Sequence, residues 1–161
     1  MIKNVDTLVG FAEVPSEISL CINISGCIIQ CKGCHSKHLW EDIGEPLDVP
    51  TLQNLLDNNK GITCVCILGG HDFNALNELF KYIKEQELKT CWYTGYDCIP
   101  KDINLAYLDY VKIGHYDGHP LNDPKTNQKF YIIESEHRDG KIIKFKRLED
   151  ITYVFWKSSK S

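Results

Sequence analysis

No stretch of this 161-residue chain is apolar for long enough to span a bilayer, and Met1-Ile2-Lys3-Asn4-Val5-Asp6 lacks the hydrophobic run of a signal peptide. The expectation is a cytoplasmic protein with no membrane partner. Basic residues are not gathered either. The 18 Lys and Arg are interspersed with 22 Asp and Glu for a net charge of -4, so no stripe points to nucleic acid. No internal repeat or low-complexity segment stands out. There is also no obvious catalytic triad or carboxylate pair, so no catalytic acid or base is assigned. The length suits one domain, residues 1–161, around a single core.

Cysteine is what the chain does have, eight in all. A disulfide framework is one use of so many in a short secreted chain. Without a secretion signal the better reading is reduced thiols, some reserved for metal. Three fall in eight residues, Cys27-Ile-Ile-Gln-Cys31-Lys-Gly-Cys34. A structural metal site closes its shell with four protein ligands, whereas a catalytic one leaves a position open. Three thiolates suit a 4Fe-4S cluster held by three corners, with the fourth iron free for a ligand. A zinc site completed by His35 or His38 is the alternative, since Cys3His is a common structural set. Zinc knuckles, however, use a second short ligand pair, and no C-x2-C follows. Cys21, Cys64, Cys66, Cys91 and Cys98 read as buried or half-buried thiols.

Ile18, Leu20, Ile22 and Ile24 alternate with polar or small residues, a strand pattern ending at Gly26, so the cysteine run lies at that strand's C-terminal end. Thr51 can cap a short helix carrying Leu52, Leu55 and Leu56. Ile62 to Leu68 reads as a buried strand closed by Gly69-Gly70. Asp72 is the expected N-cap of a helix whose apolar face is Phe73, Leu76, Leu79, Phe80 and Ile83. Lys89 to Tyr93 and Tyr110 to Ile113 are the next strands, with a short helix between Pro100 and Leu108. His115 to Lys129 is a long polar surface loop. Phe130 to Ile133, Lys141 to Phe145 and Ile151 to Trp156 complete the strands. Alternating strands and helices predict a mainly parallel sheet, and 161 residues are too few for eight βα units, so a partial, open β/α barrel is expected. In such folds ligands gather at the strand C-termini, where the cysteine loop, Gly69-Gly70 and Thr94-Gly95 would meet.

The C-x3-C-x2-C spacing resembles that of the radical S-adenosylmethionine superfamily. Gly69-Gly70-His71-Asp72 is similar to its Gly-Gly motif, with the acid one place later than usual. Gly33-Cys34-His35, Trp40, Tyr93-Thr94-Gly95-Tyr96, Lys112 to Tyr116, Pro120-Leu121 and Thr126-Asn127-Gln128-Lys129 resemble one subgroup, the activating proteins of anaerobic ribonucleoside-triphosphate reductase. This resemblance runs from about Ile18 to Tyr131. It implies that Cys27, Cys31 and Cys34 ligate the cluster. It further implies that Gly33, Cys34, His35, Gly69 and Gly70 help hold S-adenosylmethionine. The partners it implies are the glycyl radical subunit of the reductase and an external one-electron donor such as flavodoxin or ferredoxin. His35 may equally only cap a turn or reach a cluster sulfur, and the roles of His71 and Asp72 stay open.

Overall fold

In the computed structural model, which describes residues 2–11, 13–24, 44–138 and 141–158, the alternating Ile18–Ile24 stretch becomes one strand of an eight-stranded sheet. The elements are β1 (Lys3–Gly10), β2 (Ser19–Ile24), β3 (Glu45–Pro46), α1 (Val49–Asp57), β4 (Cys64–Leu68), α2 (Phe73–Glu85), β5 (Lys89–Tyr93), β6 (Tyr110–Ile113), β7 (Lys129–Arg138), β8 (Lys141–Asp150) and α3 (Tyr153–Ser158). Their order across the sheet is β3-β1-β2-β4-β5-β6-β7-β8.

The expected mainly parallel, open β/α barrel does not form. Only β2, β4, β5 and β6 run parallel to one another. The β3–β1, β1–β2, β6–β7 and β7–β8 pairings are antiparallel, so the sheet is mixed. Connection length is the physical reason. A parallel neighbour needs a crossover of a dozen or more residues, usually carrying a helix. Eight residues separate β1 from β2 and two separate β7 from β8, which permits only antiparallel return. The long β6–β7 connection contains no helix.

Period-two patterning fixes the two faces. Leu20, Ile22 and Ile24 of β2, Val65 and Ile67 of β4, Trp92 of β5 and Val111 and Ile113 of β6 form one core with Leu52 of α1 and Leu76, Leu79, Phe80 and Ile83 of α2. Burying each such aliphatic or aromatic side chain stabilises the fold by about 1.5–3 kcal/mol before entropy is counted. The opposite face carries Cys21, Cys64, Cys66, Cys91, Tyr110 and Phe130, packed with Val14, Leu121, Ile151 and Phe155.

Helix ends follow side-chain chemistry. The Asp72 side chain accepts from Ala75 N at 3.2 Å, as its position ahead of the apolar face predicts. At α1 the cap is Asp48, not Thr51. The Asp48 carboxylate accepts the Thr51 N–H at 2.9 Å, and this bond holds its pKa below the ordinary carboxylate value. Between Pro100 and Leu108 only one 3-10 turn forms, Leu105–Tyr107, capped by Asn104. Ile151 to Trp156 is not a strand. Asp150 accepts from Thr152 N at 2.9 Å, turning the chain off the sheet into α3. β1 and β3 carry too little alternation for the sequence to have announced them.

Candidate metal centre and ligand rim

Every parallel strand delivers its C-terminus to one edge of the sheet. β2 ends there at Ile24, so the chain that carries Cys27, Cys31 and Cys34 departs from that edge. These three, with Gly33, His35, His38 and Trp40, lie outside the described residues. Beside Ile24 sits Gly69, with a φ of 98°; a Cβ built on it would stand 3.4 Å from the Ile24 carbonyl oxygen. The strand end feeding the cysteine run and the Gly-Gly turn are therefore in contact.

Backbone hydrogen bonds continue past the strands and join the loops into one rim. Gly69 N donates to Tyr93 O at 2.8 Å, Thr94 N to Lys112 O at 2.9 Å and Gly114 N to Tyr96 O at 2.7 Å. The Trp92 indole Nε1 donates to Gly69 O at 2.7 Å. Both peptide groups of Gly69 are thus engaged with β5, and this glycine shapes the rim. Gly70, also at positive φ, serves packing: a Cβ there would press on both Leu76 δ carbons at 3.3 Å. His71 is exposed, and Asp72 serves α2 as its cap.

The remaining cysteines form no metal-binding group with other described residues. Cys21, Cys66 and Cys91 are in register on β2, β4 and β5, and Cys64 shares their face. All four are buried and none is in a disulfide. A hydrogen bond with Cys66 and then burial raise the Cys21 thiol well above its ordinary pKa. Burial pushes Cys64 up to about 12 and raises Cys66 and Cys91 as well. Such groups are neutral thiols near neutral pH. Among the described residues no group of three or more His, Cys, Asp or Glu is placed to hold a metal ion. Cys98 is exposed.

Next along the same face comes a second in-register row, Asn23, Leu68, Tyr93 and Lys112. Lys112 Nζ lies 5.2 Å from the centre of the Tyr93 ring, and the Tyr93 hydroxyl donates to the Glu13 carbonyl. Burial raises the Tyr93 phenol well above its ordinary pKa, so it remains protonated.

Asp97, which follows β5 on the rim, carries no motif that sequence reading could find. Its Oδ1 accepts from His115 Nδ1 at 2.8 Å, His115 N at 3.2 Å and Asn127 Nδ2 at 3.2 Å. The first of these bonds does most to lower its pKa. Thr126 and Gln128 of the Thr-Asn-Gln segment are buried, with Thr126 Oγ1 donating to His119 O at 3.0 Å.

Residues 18–135 match the family described as the 4Fe-4S single cluster domain, and the chain belongs to that family. No curated protein matches the chain. The donor set fits such a cluster. Cys27, Cys31 and Cys34 supply three closely spaced thiols, the donor type such a cluster takes. Among the described residues, no helix is long and apolar enough to cross a membrane.

Proposed function

We propose that this chain is a radical S-adenosylmethionine activase that generates a glycyl radical on anaerobic ribonucleoside-triphosphate reductase. The observation that carries the reading is a single-cluster family match together with a three-cysteine run that follows β2 in sequence, β2 itself ending at the edge where Gly69, Thr94 and Gly114 are bonded into one rim. Cys27, Cys31 and Cys34 hold three irons and leave the fourth for the amino and carboxylate groups of S-adenosylmethionine. Once bound and reduced by an external donor, such a cluster would supply the electron for reductive cleavage of S-adenosylmethionine to methionine and a radical able to take a hydrogen atom from the partner's glycine. Gly33, Cys34, His35 and Gly70 offer backbone to the cofactor, and Gly69 sets the shape of the turn that does so.

The face opposite the helices supports a macromolecular substrate. Val14, Phe130, Leu121 and Phe155 pack over the thiol row, so that part of the molecule is core and not a chamber for a small substrate. The rim and the loop beyond β6 are what a partner's peptide meets.

The test is anaerobic. Reconstituted protein is expected to hold about four iron and four sulfide per chain. Its reduced electron paramagnetic resonance spectrum changes on adding S-adenosylmethionine. With the reductase present, a doublet radical appears on the reductase and disappears when its radical-site glycine is replaced by alanine. Stoichiometric zinc instead of iron rejects the cluster. An unchanged spectrum rejects the open iron. Efficient cofactor cleavage with no radical on the reductase makes this a small-molecule radical enzyme instead.

A further inference from the structure

The chain from His115 to Asn127 leaves β6 and returns to β7 through a closed neck. A Cβ on Gly114 would lie 2.9 Å from Asn127 O and 3.0 Å from Gln128 Cα, so only glycine lets the two ends approach this closely. Gln128 Nε2 donates to Gly114 O at 3.4 Å and Asn127 Nδ2 to His115 O at 3.3 Å. Such a loop, compact with adjoining ends, is a rigid surface element in its own right.

Two imidazoles fasten it. His115 Nδ1 meets Asp97 Oδ1 at 2.8 Å at the neck, and His119 Nδ1 meets Asp123 Oδ2 at 2.9 Å further round. An ionised carboxylate only accepts, so each Nδ1 carries the proton. The other groups facing the pairs are the Asn127 amide at His115 and, at His119, Asp117, which accepts the His119 N–H at 3.1 Å. Asp123 also accepts from Lys125 N at 2.9 Å, and the Lys125 charge favours its ionised form.

We propose that Asp97 and Asp123 are positioning residues, Asp97 clasping the 115–127 loop to the rim and Asp123 clasping the loop to itself, and that protonation of His115 and His119 tightens both bonds. Protonation turns each neutral hydrogen bond into a charge-assisted one, which is shorter and stronger. Both aspartates have lowered pKa values, chiefly from the His115 side chain at Asp97 and from Lys125 N at Asp123. A carboxylate with a lowered folded pKa keeps its contribution above its ordinary value and loses it only as pH falls through the lowered one. The clasp is therefore tightest in mild acid, above the lowered aspartate range, where imidazolium and carboxylate coexist.

The inference concerns the loop's conformation and stands whether or not the loop meets a reductase. Amide hydrogen exchange of the reconstituted full chain, corrected for intrinsic rates, reads the opening of residues 115–127 between about pH 8 and pH 5.5. Opening is expected to become about two- to fivefold rarer on acidification, the scale of exposed ion pairs. In Asp97→Asn/Asp123→Asn, which keeps acceptor oxygens but not charge, the pH dependence vanishes. His115→Gln/His119→Gln abolishes it too, should the first variant fold poorly. A pH-independent loop, a loop that loosens in acid, or an unchanged dependence in both variants overturns the clasp. So does imidazole NMR showing the neutral rings protonated at Nε2 instead of Nδ1.

Discussion

Trp92→Phe removes from the fully buried centre of the molecule the side-chain bond that, among the described residues, meets the Gly69 carbonyl. The indole also packs on α2, with ring centres 6.4 Å from Phe73 and 6.1 Å from Phe80. Leaving this half-buried carbonyl without its donor costs about 1–2 kcal/mol, the lower part of the range for a buried one. The smaller ring leaves a gap worth roughly 1 kcal/mol more. A loss of about 2–3 kcal/mol is a large share of the ~5–15 kcal/mol that holds a typical domain together. For a chain of this size it lowers Tm by roughly 6–9 °C. Anaerobic urea unfolding of cluster-loaded protein, followed by circular dichroism, measures it. Phe80→Leu is the control: same core, no polar partner, a cost of about 1–1.5 kcal/mol. The tryptophan variant is also expected to weaken the spectral response to S-adenosylmethionine while retaining iron, because the Gly69 turn loses its anchor. If Trp92→Phe costs no more than Phe80→Leu, the bond to Gly69 does not hold the rim and the reasoning fails.

Replacing Cys27, Cys31 or Cys34 by Ala is expected to abolish iron binding, whereas Cys98→Ala leaves iron content unchanged. Under native conditions a thiol reagent labels Cys98 but not Cys21, Cys64, Cys66 or Cys91, as peptide mapping shows; rapid native labelling of any of those four refutes their burial as neutral thiols. Glu87 has a φ of 61° at the end of α2, where Glu87 N bonds Lys84 O and Leu88 N bonds Ile83 O. Glu87→Gly is accordingly expected to raise stability by about 1 kcal/mol in urea titration, and a loss would contradict the left-handed cap. Asp72→Ala removes the cap of α2 and costs about 1 kcal/mol in the same titration. Asp48, its pKa lowered by the Thr51 N–H, supports α1 above the ordinary carboxylate range, so Asp48→Ala removes part of the stability lost between about pH 4 and pH 2; identical acid unfolding of both proteins refutes this.

The parallel part of the sheet was legible because its strands are short apolar runs ended by glycine, as at Leu68-Gly69 and Ile113-Gly114. Asp72 and the Phe73–Ile83 apolar face announced α2 for the same local reasons. Strand direction was not legible. The alternation in β2 says which side chains face together but not whether a neighbour runs with it or against it, and β1 was unseen altogether. Ile151 to Trp156 has β-branched and aromatic residues suited to a strand, yet the Asp150–Thr152 bond makes a turn there first. At the rim, Gly69 and Gly70 were found by type, but their duties come from Trp92 and Leu76, which are distant in sequence. Asp97 had no sequence signal because its partners are His115 and Asn127.

The bonds from Gly69 to Tyr93, Thr94 to Lys112 and Gly114 to Tyr96 tie the strand-end loops together crosswise. Mechanically they behave like rungs bracing the free ends of parallel rails. A load on one loop is shared with its neighbours, so none swings out alone. Whatever seats against Gly69 thus pushes, through β5, on the footing of the loop that begins at His115.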